Sequence, residues 1–240
     1  MKIKEILYEG KAKKIYQTND ENLLVQYFKD DATAFNGVKH EIMQDKGKVN
    51  NYISAHIMTV MTENGVKNHF IERLDNLSQV ITKLKILPLE VIVRNYAAGS
   101  ICKRLGFENG LAFKTPLLEF CYKDDNLGDP LINDEHVLLL DIATSDEINY
   151  IKSEALKINH ILAKMFSDID ITLVDFKIEF GYNSAGGIIL ADEITPDSCR
   201  LWDKNSKQRY DKDLFRLDIG DMIEYYKKLA VKLNIDIPND

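Results

Sequence analysis

The stretch Leu173-Val174-Asp175-Phe176-Lys177-Ile178-Glu179-Phe180-Gly181 alternates apolar and ionisable side chains. In a strand, residues two apart share a face. Asp175, Lys177 and Glu179 therefore project to one side, and Val174, Phe176 and Ile178 to the other. An ordinary strand with one wet face gives the same alternation. The next apolar run, Gly187-Ile188-Ile189-Leu190-Ala191, ends abruptly in Asp192-Glu193. If the two runs pair as a hairpin, Asp192 returns beside Glu179 within a residue of register. Two carboxylates so placed repel each other unless a cation lies between them. Magnesium takes one or two carboxylates and fills its shell with phosphate oxygens and water, so the pair suits a magnesium–nucleotide complex. Lys177, between the acids in sequence, is placed to meet a phosphate or a substrate carboxylate.

Two other stretches offer anion chemistry. Gly10-Lys11-Ala12-Lys13 combines a glycine, which lets backbone approach a phosphate, with lysines that share a face if a strand resumes at once. It is not a Walker A loop, because no G-K-[ST] opens a helix. A strand–Gly–strand cover resembles the glycine-rich loop of kinases, and an ordinary basic turn reads the same. In Leu87-Pro88-Leu89-Glu90-Val91-Ile92-Val93-Arg94-Asn95-Tyr96-Ala97-Ala98-Gly99-Ser100, a strand ends at Arg94 and small residues follow. A guanidinium bonds a phosphate monoester bidentately, and Ser100 adds a hydroxyl and an N–H. A surface arginine before a helix is the plainer alternative. Further cations stand at Arg200 and Arg216.

Bulk composition narrows the choice. The 240 residues carry a net charge of −7 with 45% hydrophobic residues, ordinary for a globular chain and unlike a nucleic-acid binder. The basic groups are scattered and converge only through folding, as an anionic small-molecule site requires. Three distant cysteines, Cys102, Cys121 and Cys199, suggest neither a disulfide framework nor a zinc site, and a reducing cytoplasm is the expected setting. His40, His56, His69, His136 and His160 lack metal-ligand spacing. No leader or run long enough to cross a bilayer is read, so no membrane partner is expected. Carboxylates, lysines and arginines remain, the equipment of phosphoryl transfer.

The elements that must position these groups read as follows. Ile6–Tyr8, Lys14–Tyr16 and Leu23–Phe28 form an antiparallel meander broken by turns at Glu9-Gly10 and at residues 18–22. Residues 49–63 have helical spacing and stop at Asn64-Gly65. Strands are expected at Val80–Leu84, Val91–Arg94, Ile171–Phe180 and Gly187–Glu193. A strong helix opens at Ser145-Asp146-Glu147 with Ile148, Ile151, Ala155, Ile158, Leu162 and Met165 on one stripe. A last amphipathic helix covers about Asp221 to Leu233. Strands group antiparallel, so the class is α+β. Two lobes are expected, a β-rich antiparallel one over residues 1–85 and a mixed α/β one over 86–240, with a nucleotide in the cleft between them.

Taken together, these stretches resemble the SAICAR synthetase (phosphoribosylaminoimidazole-succinocarboxamide synthase) family. The resemblance is carried, in chain order, by Tyr8–Lys13, Gly47–Asn51, Leu87–Ser100, Leu173–Gly181, Asp192-Glu193, Pro196–Asp203 and Asp211–Arg216, of which Leu87–Ser100 and Leu173–Gly181 are the most diagnostic. It implies an ATP-dependent ligase that forms an amide between L-aspartate and the carboxylate of 5-aminoimidazole-4-carboxylate ribonucleotide (CAIR) through an acyl phosphate. Lys11, Ala12, Lys13 and Lys123 would then hold ATP phosphates, and Glu179 and Asp192 magnesium. Adenine would lie near Lys83, Leu84 and Ile86. Arg94, Ser100 and Arg200 would hold the ribotide phosphate with Arg216 nearby, and Asp197 and Asp175 would contact ribotide or aspartate. Lys177 and Asp175 would act at the reacting atoms. Many members carry Asp-Gly where this chain has Asn36-Gly37, so these two are assigned to ribotide contact only. The resemblance also implies a cytoplasmic homodimer. From the residues alone, a small-molecule kinase and a non-catalytic nucleotide-binding regulator fit as well.

Overall fold

The alternating runs at the N-terminus form β1 (Ile3–Glu9), β2 (Lys13–Thr18) and β3 (Leu23–Phe28). The computed structural model describes residues 1–35 and 37–238. A small hairpin of β4 (Asp31–Ala34) and β5 (Lys39–Ile42) leads into α1 (Lys46–Glu63), followed by β6 (Phe70–Arg73) and β7 (Ser78–Thr82). Then come β8 (Lys85–Ile86), β9 (Leu89–Tyr96), α2 (Ser100–Leu105), β10 (Ala112–Tyr122) and β11 (Leu131–Ile132). The rest is α3 (Asp134–Leu139), α4 (Ser145–Ser167), β12 (Ile171–Tyr182), β13 (Ile188–Ala191), β14 (Cys199–Asp203), α5 (Asp213–Leu217) and α6 (Met222–Lys232).

Among the described residues the strands pair antiparallel into a five-stranded sheet, β1-β2-β3-β7-β6, and a seven-stranded sheet, β11-β10-β9-β12-β13, with β14 and β8 also on β12. The first sheet draws on residues 3–82 and the second on residues 85–203. This is the two-lobed α+β fold that the strand grouping implies.

Local chemistry explains the helices. α4 starts behind a capping box in which the Thr144 hydroxyl accepts from Glu147 N and the Glu147 carboxylate accepts from Thr144 N. Its stripe of Ile148, Ile151, Ala155, Ile158 and Leu162 is buried, and the helix packs across β12 and β9. α1 begins three residues before the expected start. Its first turn is buried yet polar (Lys46, Gly47, Lys48, Asn50), so apolar spacing cannot reveal it. A Cβ on Gly47 would lie 2.4 Å from the Phe28 carbonyl oxygen, which requires glycine where α1 crosses β3.

Some elements escape the sequence pattern for identifiable reasons. β10 contains Pro116, which cannot donate to a ladder, and the pairing with β9 slips between Ala112 and Leu117 to accommodate it. The β7 run stops at Thr82, not Leu84, and β13 stops at Ala191, before Asp192-Glu193.

Candidate active site

β12 is the spine of the site. Phe176, Ile178 and Phe180 enter the core, and Asp175, Lys177 and Glu179 share the opposite face. Val174 departs from alternation. Pairing with β14 slips between Leu173 and Asp175, so Leu173 joins the main core and Val174 packs with Ala98 and Trp202. A bulge adds a residue and shifts the alternation on one side of it, which counting in twos misses.

Register decides which side chains meet. Asp175 lies opposite Arg94 of β9 on one side and opposite Arg200 of β14 on the other. Arg94 Nη1 donates to Asp175 Oδ2 at 2.7 Å, and Arg200 Nη1 donates to the same oxygen at 2.8 Å. Arg94 Nε also donates to Glu119 Oε2 at 2.7 Å, while Arg104 pairs with the other Glu119 oxygen. Arg94 Nη2 donates to Ser100 Oγ at 3.2 Å. On the far side, Asp213 receives Arg200 Nε at 2.9 Å, Arg209 Nη1 at 2.9 Å and Arg216 Nη1 at 2.7 Å. Burial opposes the Arg200 charge, but Asp175 and Asp213 outweigh it and raise the pKa above the ordinary guanidine value. Gly99 is fixed by this packing: φ is +64°, and a Cβ would lie 2.5 Å from Arg200 Nη2.

Further along the same face, lysines alternate with carboxylates. Lys177 Nζ lies 3.0 Å from Glu90 Oε1, 3.1 Å from Glu179 Oε1 and 3.5 Å from Asp192 Oδ2. Lys123 Nζ reaches both Glu179 oxygens, at 2.7 and 2.6 Å. Lys13, from the first sheet, pairs with Asp192 and Glu193. Burial would raise the Glu179 pKa, yet Lys177, Lys123 and Lys13 hold it down at about 2. Burial pushes the Asp192 carboxyl up to about 7 and the Lys13 ammonium down to about 7. For Lys177, Glu179 and Glu90 overcome burial and raise its pKa. Among the described residues, no three His, Cys, Asp or Glu side chains gather as an all-protein metal site.

The expected pairing of Glu179 with Asp192 is present, by an unexpected route. Glu179 lies opposite Ala191, so continued alternation would send residue 192 to the core face with Leu190. Asp192 instead has φ +62°, and this left-handed turn carries its carboxylate to Lys13 and Lys177.

The other candidates fall into three places. Strand β2 resumes at Lys13, so the two turn lysines part: Lys11 Nζ meets Asp125 Oδ1 at 2.9 Å at the surface, while Lys13 turns inward. The Ala12 carbonyl between them accepts from Lys29 N. Leu84 and Ile86 flank Gly181, where a Cβ would come within 3.0 Å of Leu84 Cβ and 3.2 Å of Ile86 Cδ1. Ile86 is exposed, as is Lys83, whose N–H donates to the Asn22 carbonyl. Gly37, φ +88°, sits at the β4–β5 turn, which Lys39 ties to α5 through the Phe215 carbonyl at 2.6 Å. Asn36 lies outside the described residues. Asp197 stands apart from the arginine row: it pairs with Lys46 Nζ at 2.6 Å and accepts from Asn50 Nδ2 at 3.0 Å and Tyr226 Oη at 2.8 Å. These partners join α1 and α6, and Lys46 holds the Asp197 pKa well below the ordinary range against the effect of burial.

Sequence reasoning missed Glu90, Glu119, Glu193 and Asp213, the carboxylates that hold the site's cations. Arg209, Asp213 and Arg216 have the i,i+4 and i,i+3 spacing of helical ion pairs, a readable signal. Glu119 gave none, because its partners are set by the β9–β10 register.

Comparison with known proteins fits this geometry. The chain matches the sequence model of the SAICAR synthetase family over residues 6–233. The chain belongs to the SAICAR synthetase family. It is 52% identical over 229 residues to a phosphoribosylaminoimidazole-succinocarboxamide synthase of Caldanaerobacter subterraneus subsp. tengcongensis, covering 95% of this chain and 97% of that one. Its fold is similar to the crystal structure of the corresponding synthase of Ehrlichia chaffeensis, with a TM-score of 0.95, 46% identity and coverage of 98% of this chain and 100% of the other. It is equally similar to a SAICAR synthetase solved in complex with ADP: TM-score 0.95, 44% identity, 98% and 100% coverage. SAICAR synthetase membership thus spans both lobes. Among the described residues, no helix is long and apolar enough to cross a membrane.

Proposed function

We propose that this chain is an ATP-dependent ligase that joins L-aspartate to the CAIR carboxylate, giving SAICAR, ADP and phosphate in de novo purine synthesis. The observation that carries the reading is the division of one sheet face into an arginine row, a lysine–carboxylate cluster and an apolar flank. These lie along β12 at Asp175, at Lys177–Glu179 and at Gly181. At ~3.3 Å per residue the six steps from Asp175 to Gly181 span roughly 20 Å, room for a ribotide and a nucleotide end to end.

A carboxylate resists attack by an amine because oxide is a poor leaving group. Transfer of the γ-phosphoryl group of ATP to a CAIR carboxylate oxygen turns it into an acyl phosphate. The α-amine of aspartate then attacks the carbonyl carbon, phosphate leaves with the C–O bond electrons, and the amine proton passes to a base. Positioning and charge neutralisation account for most of such a rate enhancement.

The residues divide this work. Arg94, Ser100 and Arg200 hold the ribotide phosphate, with Arg216 beside them and Asn36-Gly37 at the ribotide edge. Lys11, Ala12, Lys13 and Lys123 hold the ATP phosphates. Adenine rests on Leu84 and Ile86, next to Lys83. Glu179 and Asp192 form a two-carboxylate oxygen set whose remaining shell would be phosphate and water, the donor set that suits magnesium. Bound there, magnesium supplies Lewis-acid neutralisation of phosphate charge. Lys177, bonded to Glu90 and Glu179, orients the CAIR carboxylate toward the γ-phosphate. Both arginine bonds fall on Asp175 Oδ2, so Asp175 Oδ1 is assigned the amine proton. Asp197 acts at the aspartate side through the α1–α6 junction.

The lobes, expected over 1–85 and 86–240, are proposed to divide just before β8, whose Lys85 and Ile86 both pair with β12. The enzyme is proposed to work as a cytoplasmic homodimer, which sedimentation equilibrium checks. The reaction itself is tested by incubating the protein with ATP, magnesium and CAIR, with and without aspartate. Aspartate-dependent ADP release with a succinocarboxamide product is expected. ADP release indifferent to aspartate would make the chain a kinase, and none at all a nucleotide-binding regulator.

A further inference from the structure

His69 lies outside every stretch that carries the resemblance, and it is buried with 3% of its surface exposed. It sits at the seam between the two sheets. Its N–H donates to the Leu190 carbonyl of β13 at 3.0 Å, and its own carbonyl accepts from Thr82 N of β7 at 2.7 Å. Leu190 N donates back to the Lys67 carbonyl at 3.0 Å, and Asn68 bridges Leu190 in parallel. The backbone at residues 67–69 therefore fixes the imidazole against the end of β13.

From that position His69 Nε2 lies 2.9 Å from the backbone oxygen of Asp192. A carbonyl accepts only, so Nε2 carries the proton. Asp192 is also the residue whose left-handed backbone sends its carboxylate to the site face rather than the core face. Left-handed φ is costly for a residue with a side chain, and it persists where surrounding contacts over-determine it. The His69 hydrogen bond is such a contact, made to the atom whose direction the turn controls.

We propose that His69 is a positioning residue: by holding the Asp192 carbonyl it keeps the left-handed turn that aims the Asp192 carboxylate at the metal–nucleotide site. The proposal rests on the reading above that Glu179 and Asp192 hold magnesium. Partners that orient a metal-binding side chain typically change metal affinity by about 10- to 100-fold when removed.

Three variants separate this role from simple packing. His69→Leu fills the space and has no donor. In His69→Asn the amide nitrogen matches Nδ1 and stops short of Asp192, whereas in His69→Gln it matches Nε2. For His69→Leu and His69→Asn, the magnesium concentration giving half-maximal rate should rise about tenfold, and calorimetric ADP affinity in magnesium should fall about tenfold. ADP affinity in EDTA and the CAIR KM should stay within about twofold, and His69→Gln should recover most of the loss. If His69→Leu fails to fold, the Asn and Gln pair still decides the matter. Wild-type magnesium dependence in His69→Asn would overturn the proposal. So would equal impairment in Asn and Gln, or a crystal structure of His69→Asn with Asp192 φ still positive and its carboxylate unmoved. ADP affinity indifferent to magnesium in the unchanged enzyme would instead sink the metal reading, and the role built on it, before any variant is compared.

Discussion

The two charged ends of the β12 face are built from different cations, and they behave differently. Around Asp175 the cations are guanidiniums, each anchored through a defined nitrogen: Arg94 by Glu119 and Asp175, Arg200 by Asp175 and Asp213. A planar fork with two anchored nitrogens has its remaining donors aimed before any ligand arrives. Around Glu179 the cations are lysines, point charges of which Lys13 and Lys177 are shared among several carboxylates and Lys123 is held by both oxygens of Glu179. Lys177 alone lies within 3.5 Å of Glu90, Glu179 and Asp192. Such pairs exchange partners without breaking a fixed geometry. If the proposed function holds, the arginine end is preorganised for one anion of fixed shape, and the lysine end for phosphates whose charge moves during the reaction. On the proposed reading, these are the ribotide phosphate and the triphosphate.

Mutations at the two ends should separate in kind. The largest effect is expected at the lysine end, where Glu179→Ala or Asp192→Ala should lower kcat/KM by at least about a thousandfold at low magnesium, on the scale of losing an electrostatic stabiliser of the transition state. Circular dichroism should show a folded chain. Full turnover in either variant at low magnesium would remove the metal assignment and erase the contrast.

At the arginine end, Arg94→Ala should raise the CAIR KM by about 100-fold, the loss of a charge-assisted contact of about 2–3 kcal/mol. The ATP KM should change less than about threefold. Equal effects on the two KM values would show that the arginine row does not serve one substrate. The same variant leaves Asp175 and Glu119 with one guanidinium fewer each, so its denaturation midpoint should also fall.

The third effect is read in stability rather than turnover, as a pH dependence. Glu179 has its pKa depressed from 4.5 to about 2, so it binds fewer protons in the folded state than in the unfolded one. Its contribution, about 3 kcal/mol at full strength, is present above pH 4.5 and disappears as pH falls toward 2. Glu179→Gln should therefore lose less stability than the unchanged protein over that window in chemical denaturation. Asp211 sharpens the comparison from beside the arginine row. Burial, and then Asp213, raise its pKa to about 7. The folded state therefore holds a proton there that the unfolded state gives up, and the stability this supplies drains away as pH rises from about 4 to 7. Parallel pH profiles for Glu179→Gln and the unchanged protein would show that the lysine end contributes no acid-sensitive stability of its own.

Much of this was legible in the chain. The alternation of Asp175, Lys177 and Glu179 survives in β12, and α4 buries the expected stripe from Ile148 to Leu162, with Met165 only partly buried and Phe166 fully buried at its end. The first three strands and the α6 helix fall where turn residues and periodicity put them. What stayed hidden has a common cause. Val174 changes sides at a bulge, β10 hides behind Pro116, and the first turn of α1 is buried by polar contacts. In each the local pattern points the wrong way, and pairing or packing against a distant segment decides the outcome.

By itself, the sequence determined which side chains share a face, because the two-residue repeat of a strand is a local geometric property. It also determined the charge types available and, through its ordered set of matching stretches, the family. Only the tertiary structure decided which ions are neighbours. Arg94, Asp175 and Arg200 are separated by 81 and 25 residues in the chain and meet within 2.8 Å because β9, β12 and β14 pair in one register. Asp192 reaches Lys13 because its backbone turns left-handed at a seam where His69 meets its carbonyl. Register and turn handedness depend on contacts between distant segments, so periodicity in a single chain does not encode them.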